Sequence, residues 1–490
     1  MQNHKLVQIL KTFSREEYSE FEKFVSSPFH NNGRNFLAFV KELKKYYPAF
    51  DSKNLTKENL FRKLYPNSKV SGSLMNTTLS RVLKMAREYL IYGSYLKREV
   101  NSNYDYILQL LYRQLYEPAE KELKEYSKMI ASYEGISDEF FEGKMNYEIL
   151  KVQLGFKTNR SQPTQHPAIK LVEYHIRYNM MRLAYFIHGL RANEMMFSSA
   201  HEKSLILKYL ESLNLKSFYE GLKNQKDDDA FNEITLIYVL WILTITDSKN
   251  ETHYHEMKEL VLKNINRFHH HEKYNLYQAL EAACWYLVAE VDKPKYDREM
   301  YEVLRSRFEN GILSPDKKSM RLIMYRAFLI SFLNHADLQF QQHFVDTCIP
   351  MLPEEHRENM YNYTMAYIYF KKGGLNKALE FNSRVNFEMF AFRYDTRILQ
   401  FEIYYELGYF NEAYSLIDTH KHFITNNKAV SAYYREMNTN FLNFYSDLLK
   451  AKEGRKKLNV SAFKDTVSKT NVVFHQKWLL DKAGELSKKR

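Results

Sequence analysis

Histidines are the residues of this chain whose clustering could hold a metal ion. Five of the 17 lie in two nearby groups: His253, His255, His269, His270 and His271. Imidazole nitrogens are common zinc ligands. A single helix over this stretch would hold the two groups about 24 Å apart, at ~1.5 Å per residue, too far for one ion to bridge. No His-Glu-x-x-His spacing occurs, so we predict surface histidines at helix ends, no metal and no cofactor.

Motifs of catalysis are missing from the sequence. It has no Gly-rich phosphate loop, no Gly-x-Ser-x-Gly elbow and no Cys-x-x-Cys pair. Cys284 and Cys348 lie in apolar helical contexts, which predicts buried free thiols in a reducing compartment. Carboxylates occur throughout, as in any set of amphipathic helices, so an enzyme whose active site carries no recognisable motif remains an alternative. We expect a protein that is not an enzyme.

Basic residues concentrate near both ends of the chain. Net charge is +12, with nine Lys/Arg against two Asp/Glu over 56–98, and eleven against four over 451–490. Such segments bind nucleic acid or an acidic partner, or form solvated helix faces. The nucleic-acid candidates are Arg81, Lys84, Arg87, Arg455, Lys456 and Lys457.

The composition predicts long helices joined by short turns. Only 14 Gly and 10 Pro occur in 490 residues, and a hydrophobic fraction of 45% can build a large core. The most apolar run, 234–245, is shorter than the ~20 residues that a membrane span needs. The first residues lack the apolar core and cleavage site of a signal peptide. We expect a cytoplasmic protein without membrane association.

The first 100 residues read as a basic helical unit. Ser14 and Glu17 form a capping box that opens a helix, and Thr56 caps another. The strongest helix of this unit carries an apolar stripe at helical spacing: Met75, Leu79, Val82, Leu83, Ala86, Tyr89 and Leu90. The short helix followed by a basic helix faintly resembles the helix-turn-helix motif. The turn between the two helices, however, is about twice as long as the three or four residues usual in that motif.

The N-terminal pattern consists of segments 16–31, 46–50 and 55–66, followed by the basic helix. This pattern resembles the start of an uncharacterised group of helical proteins from Bacteroidota and related bacteria. The resemblance covers about the first 95 residues. It implies a bacterial source and no assigned activity.

A repeated pattern appears near residue 400. Tyr369, Gly373, Leu375 and Ala378 recur 35 residues later as Tyr404, Gly408, Phe410 and Ala413. A glycine ends one helix in a left-handed conformation, and a small alanine lets the returning helix approach closely. The pattern resembles the tetratricopeptide repeat (TPR), although Asn362 and Arg397 replace the large residue that the family has early in the first helix.

The TPR resemblance implies an all-α superhelical solenoid of stacked antiparallel helix pairs. It also implies a concave groove in which the first helix of each pair binds an extended peptide. The groove positions carried over are Tyr363, Tyr367, Phe370, Ile398, Glu402 and Tyr405. The alternative is that these side chains pack against neighbouring helices as core.

The chain therefore divides into a basic helical unit (1–100), a helical-repeat solenoid (101–452) with a possible hinge at 157–167, and a basic helical cap or tail (453–490). The predicted pairs are 272–290 with 295–311, 316–334 with 337–350, 355–372 with 375–386, and 389–407 with 410–422. We expect a scaffold or adaptor that binds a protein or peptide partner. The alternative is a nucleic-acid-associated regulator that uses the two basic ends.

Overall fold

Helices account for the regular structure of the chain. A computed structural model describes residues 1–31, 36–158, 165–196, 205–224, 230–290, 293–426, 432–470 and 472–488. These residues form 25 α-helices, two short 3₁₀ helices and no β-strand, which confirms the all-α class for the part of the chain described. Most of the predicted hinge, residues 159–164, lies outside the described residues.

The chain forms two compact units. Unit 1 comprises 1–132 and 142–171, and unit 2 comprises 133–141 and 172–490. The helices that lie wholly in unit 1 are α1 (Lys5–Lys11), α2 (Arg15–Ser26), α3 (Pro28–Asn31), α4 (Leu37–Lys44), α5 (Lys57–Leu64), α6 (Gly72–Lys97), α7 (Glu99–Tyr112) and α8 (Tyr116–Ala131). Two longer helices, α9 (Asp138–Lys157) and α10 (Gln165–Met196), have residues in both units.

Unit 2 continues with fifteen helices among its described residues. They are α11 (Leu205–Ser212), α12 (Leu215–Lys223), α13 (Asn232–Thr246), α14 (Glu251–Asn264), α15 (His270–Glu290), α16 (Lys293–Glu309), α17 (Leu322–His335), α18 (Leu338–Cys348), α19 (Glu354–Lys371), α20 (Leu375–Arg384), α21 (Phe390–Leu407), α22 (Phe410–Asn426), α23 (Ala432–Lys452), α24 (Val460–Lys469) and α25 (Gln476–Lys488). The four predicted pairs correspond to α15 to α22. Three match within a few residues, whereas α17 begins only at Leu322.

The helix N-caps that the sequence predicts in unit 1 are present in the structure. The Ser14 hydroxyl accepts a hydrogen bond from the Glu17 amide at 3.1 Å, and the Glu17 carboxylate accepts one from the Ser14 amide at 2.9 Å, which confirms the capping box. Thr56 caps α5 in the same way, through the Asn59 amide at 3.1 Å. The core of this unit is built by α1, α2, α4, α5 and the first four turns of α6.

Unit 2 stacks helices that follow one another in sequence. Neighbouring helices pack together from α12 to α18 and from α19 to α23, and the 3₁₀ segment Ile349–Met351 packs against both α18 and α19. Three alternate pairs also touch: α13 with α15, α17 with α19, and α19 with α21. Gly373 and Gly408 have φ values of +78° and +74°, and Ala378 and Ala413 are fully buried. Both predicted roles, the left-handed glycine and the close-approach alanine, are confirmed.

The two compact units divide the chain at other positions than the predicted segments do. α7, which begins at Glu99, and α8 lie almost entirely beyond residue 100, but they belong to unit 1. The last helices are part of unit 2: Phe463, Leu479 and Ala483 lie in one core with residues of α21, α22 and α23. The C-terminal segment 472–488, which contains α25, packs against α23.

Candidate functional site

The predicted peptide groove is closed at α19. Tyr363 is fully buried, and its hydroxyl donates a hydrogen bond to the Asp395 carboxylate at 2.6 Å. The Tyr367 hydroxyl donates to the backbone oxygen of Asp395 at 3.3 Å. Burial raises the pKa of both phenols well above the usual value. Phe370 is half-buried and packs beside Ala366 and Ala378.

The groove is also closed at α21. Ile398, Glu402 and Tyr405 are at most 7% exposed. The C-terminal segment covers this face, because His475 Nδ1 lies 2.8 Å from a carboxylate oxygen of Glu402 and the Trp478 ring meets the Tyr405 ring edge-on at 5.2 Å.

The expectation that these six positions line an open groove is therefore wrong. Four are buried, and the remaining two, Tyr367 and Phe370, are half-buried in packed clusters. Neighbouring helices fill the space beside α19, and the chain's own C-terminal segment fills the space beside α21. These positions act as core, which was the alternative interpretation.

The last two turns of α6 form an exposed apolar helix surface in unit 1. Earlier in the helix, Met75, Leu79, Val82 and Ala86 are buried. Tyr89 is the last residue of α6 that packs against the core of unit 1, and its ring lies on Phe21 and Phe24. Beyond it, five large apolar side chains are 37–56% exposed, and we call them the α6 apolar end: Leu90, Ile91, Tyr92, Tyr95 and Leu96.

Aromatic rings extend this surface toward α3. The Tyr92 ring lies 6.3 Å from the His30 ring, and His30 stacks on Phe24 at 3.8 Å. Phe29, next to His30, is 85% exposed. Tyr95 donates its hydroxyl hydrogen bond to the Asp105 carboxylate, which fixes one ring of the α6 apolar end against α7.

Basic residues precede and follow the α6 apolar end in the sequence. Four basic residues and one acidic residue lie between positions 84 and 98. Lys84 forms an ion pair with that acidic residue, Glu88, at 3.7 Å. Within the described residues, Arg87, Lys97 and Arg98 are exposed and form no ion pair. The surface therefore combines apolar side chains with unneutralised positive charge.

The six nucleic-acid candidates fall into two groups, one in each unit. Arg81 is half-buried, Lys84 is paired with Glu88, and Arg87 is exposed. In the tail, Arg455 pairs with Glu453 at 2.6 Å, Lys456 pairs with Asp447 at 2.8 Å, and Lys457 is exposed. Three of the six cations thus face a carboxylate, which lowers the positive potential they offer to a phosphate backbone.

The five histidines do not share one helix: His253 and His255 lie on α14, which ends at Asn264, whereas His269 directly precedes α15, which begins at His270. His253 is buried, 3.5 Å from Asp247, so the expectation of a surface residue is wrong there. Among the residues that the structure describes, no group of three or more His, Cys, Asp or Glu side chains is placed to hold a metal ion.

The two thiols are buried in unit 2, as predicted. The Cys284 thiol donates to the Tyr254 hydroxyl at 3.2 Å. Burial raises the pKa of each thiol to about 12, which keeps both protonated and unreactive at neutral pH.

A buried carboxyl group joins three helices of unit 2. Glu272 accepts a hydrogen bond from the Tyr238 hydroxyl at 2.6 Å and another from the Tyr185 hydroxyl. Burial raises the pKa of Glu272 to about 7, against the opposing effect of these hydrogen bonds. The group is enclosed in the core, so it bears on the pH dependence of stability rather than on ligand binding.

Sequence reasoning missed the α6 apolar end, although a signal was present. Residues 90–92 and 95–96 spread apolar side chains over about two thirds of the helix circumference, at ~100° per residue, and so wide an apolar surface is typical of a helix that is covered on several sides. No helix among the described residues is long and apolar enough to cross a bilayer.

Comparison of the chain with protein-family models, curated proteins and solved structures finds no match.

Proposed function

We propose that this protein is a non-enzymatic scaffold or adaptor that binds a protein partner through the α6 apolar end. One observation carries the proposal: five large apolar side chains are exposed within seven consecutive helical residues. Contiguous exposed apolar patches of this kind mark interaction sites on protein surfaces.

The free energy available at this surface is substantial. Full burial of a large apolar side chain contributes about 1.5–3 kcal/mol. Five such side chains, each roughly half exposed, leave on the order of 5 kcal/mol for a partner to recover. Because α6 is anchored in the core up to Tyr89, the surface is held in a fixed helical geometry before the partner binds.

The surrounding charge defines the partner. Arg87, Lys97 and Arg98 favour carboxylates, so the surface fits an amphipathic helix whose apolar stripe is flanked by Asp and Glu. A second copy of the chain fits poorly, since a symmetric contact would bring these cations against each other. Nucleic acid would stack on Tyr92 and Tyr95, but it offers no apolar surface to cover Leu90, Ile91 and Leu96.

Unit 2 is proposed to be a superhelix of TPR-like helix pairs that supports this role. The support is the repeated glycine and alanine geometry at 373–378 and 408–413, and the contacts between alternate helices. A bacterial source and a cytoplasmic location belong to the same proposal. The buried free thiols of Cys284 and Cys348 are consistent with a reducing compartment.

The test compares two variants with the same chemical change at equal exposure. Ile91 on α6 and Leu338 on α18 are each 56% exposed. Tagged wild-type protein, Ile91→Glu and Leu338→Glu are purified from lysate of the source organism at low salt, with and without nuclease, and co-purifying molecules are quantified.

We expect a stoichiometric protein that survives nuclease and rising salt, is retained by Leu338→Glu and is lost at least tenfold with Ile91→Glu. Equal retention by both variants would rule out the α6 apolar end. Recovery of nucleic acid alone, released at moderate salt, would favour the nucleic-acid-associated role, because phosphate contacts weaken steeply with salt.

A further inference from the structure

Unit 1 also contains a basic pocket. It is an open concavity of about 370 Å³ between the end of α4 and α5, lined by Lys45, Tyr46, Asn54, Asn59, Arg62 and Lys63. This volume falls within the range of small-molecule sites, about 300–1,000 Å³. None of these residues belongs to the α6 apolar end.

A buried carboxylate holds two of the lysines in place. Glu42 is 8% exposed; one of its oxygens pairs with Lys63 at 2.7 Å and the other with Lys45. Burial alone would raise the pKa of Glu42, but the two lysines lower it below its usual value, so it is ionised at neutral pH. An ammonium group has three donors, so both lysines keep protons for a ligand while Glu42 fixes their positions.

The charge of the pocket is not balanced. Lys45, Arg62 and Lys63 contribute three positive charges and Glu42 one negative charge, which leaves a net +2. Arg62 is exposed and forms no ion pair with any described residue. Its planar guanidinium offers paired donors of the kind that bind phosphate oxygens in a two-point contact.

Neutral donors complete the lining. The Tyr46 hydroxyl accepts from Lys63 at 3.2 Å, which leaves its own proton free to donate. The Asn59 side chain donates to the Asn54 backbone at 3.1 Å and ties the loop before α5 to that helix. The pocket therefore has a fixed wall, two positioned lysines and one free arginine.

We propose that this pocket binds a small molecule through a phosphate or pyrophosphate group. The net charge of +2 balances a phosphate dianion and most of the charge of pyrophosphate, whereas a single carboxylate would leave one positive charge unbalanced. Arg62 supplies a two-point contact, Lys45 and Lys63 supply point charges, and Tyr46 donates a neutral hydrogen bond.

The experiment uses calorimetric titration of the full chain at constant ionic strength with sodium pyrophosphate, inorganic phosphate and a 20-nucleotide single strand. The test variant is Arg62→Gln, with the charge reversal Arg62→Glu beside it. The matched control is Lys23→Gln, because Lys23 is also exposed in unit 1, forms no ion pair with described residues and lies outside the pocket. Circular dichroism verifies that each variant is folded.

We expect saturable one-site binding of pyrophosphate, about tenfold weaker in Arg62→Gln, abolished in Arg62→Glu and unchanged in Lys23→Gln. No saturable binding by the wild type would overturn the proposal, and so would equal weakening in Arg62→Gln and Lys23→Gln. Binding of the oligonucleotide alone, with the same dependence on Arg62, would overturn the small-molecule assignment in favour of a polynucleotide.

Discussion

Leu79 and Leu90 lie three turns apart on the same face of α6, yet Leu79 is 1% exposed and Leu90 is 44% exposed. The sequence places both on one uninterrupted apolar stripe. The core of unit 1 covers the stripe only as far as Tyr89, and α6 continues for two more turns. The same pattern of residues therefore serves as core at one end and as an exposed apolar surface at the other.

This difference predicts unequal effects of the same substitution. Leu79→Ala leaves a cavity in the core of unit 1 and should lower the free energy of unfolding by about 2–5 kcal/mol. Leu90→Ala removes a half-exposed side chain and should cost less than about 1 kcal/mol. Hydrogen exchange of the α6 amides in unit 1 measures both. Similar losses of protection would show that the α6 apolar end is covered in solution.

Arg326 on α17 and Asp395 on α21 form a two-point ion pair, with Nη2 to Oδ1 at 2.7 Å, and Asp395 also accepts from Tyr363. Asp395→Asn should destabilise unit 2 by about 3 kcal/mol, because it leaves a largely buried guanidinium without its counter-charge. All three tryptophans, at 241, 285 and 478, lie in unit 2, so their fluorescence during urea unfolding reports on this unit.

The control for this pair is Asp465→Asn, which removes the partner of Lys469 in an exposed pair and should change stability by less than about 1 kcal/mol. Equal effects of the two substitutions would contradict a structural role for the Arg326–Asp395 pair.

Glu272 should make unit 2 less stable as pH rises. Its pKa is about 7 when folded and near the ordinary 4.5 when unfolded, so between these values the unfolded chain releases a proton that the folded chain keeps. Stability from this group is fully present below pH 4.5 and falls as pH rises to about 7, by on the order of 3 kcal/mol. Glu272→Gln cannot ionise, so it should gain stability relative to wild type over this window.

Urea midpoints of wild type and Glu272→Gln, read by tryptophan fluorescence from pH 4.5 to 8, provide the measurement. Parallel pH profiles of the two proteins would show that the buried carboxyl does not titrate in this range.

The C-terminal segment should be an integral part of unit 2 rather than a loose tail. Leu479 is fully buried and shares a core with Tyr405 and Tyr445. Leu479→Ala should therefore lower the free energy of unfolding by about 2–5 kcal/mol, measured by urea unfolding with tryptophan fluorescence. Leu486→Ala, at a half-buried position of the same helix, should cost less. No effect of Leu479→Ala would mean that α25 is not docked.

Local structure followed from the sequence because its causes are local. The capping box of Ser14 and Glu17 involves residues three apart, and the left-handed turn at Gly408 depends on that glycine and its neighbours. The helix pairs from α15 to α22 were found by the same local periodicity.

Burial of the predicted groove did not follow, because it depends on distant residues. Tyr405 is covered by Trp478, which lies 73 positions further along the chain. Tyr363 is hydrogen-bonded to Asp395 on the next pair of helices. The basic pocket was missed for the same reason: Glu42 on α4 positions Lys63 on α5, and neither residue forms a recognisable motif in the sequence.

Site-specific photo-crosslinking tests the central claim most directly. A photoreactive amino acid replaces Ile91 in one protein and Leu338 in another, and both are irradiated in nuclease-treated and in untreated lysate of the source organism. We expect one protein to crosslink at position 91 and not at 338, through a peptide that forms an amphipathic helix with Asp or Glu beside its apolar stripe. Crosslinking that is equal at the two positions, or that yields only nucleic acid in the untreated lysate, would contradict binding at the α6 apolar end.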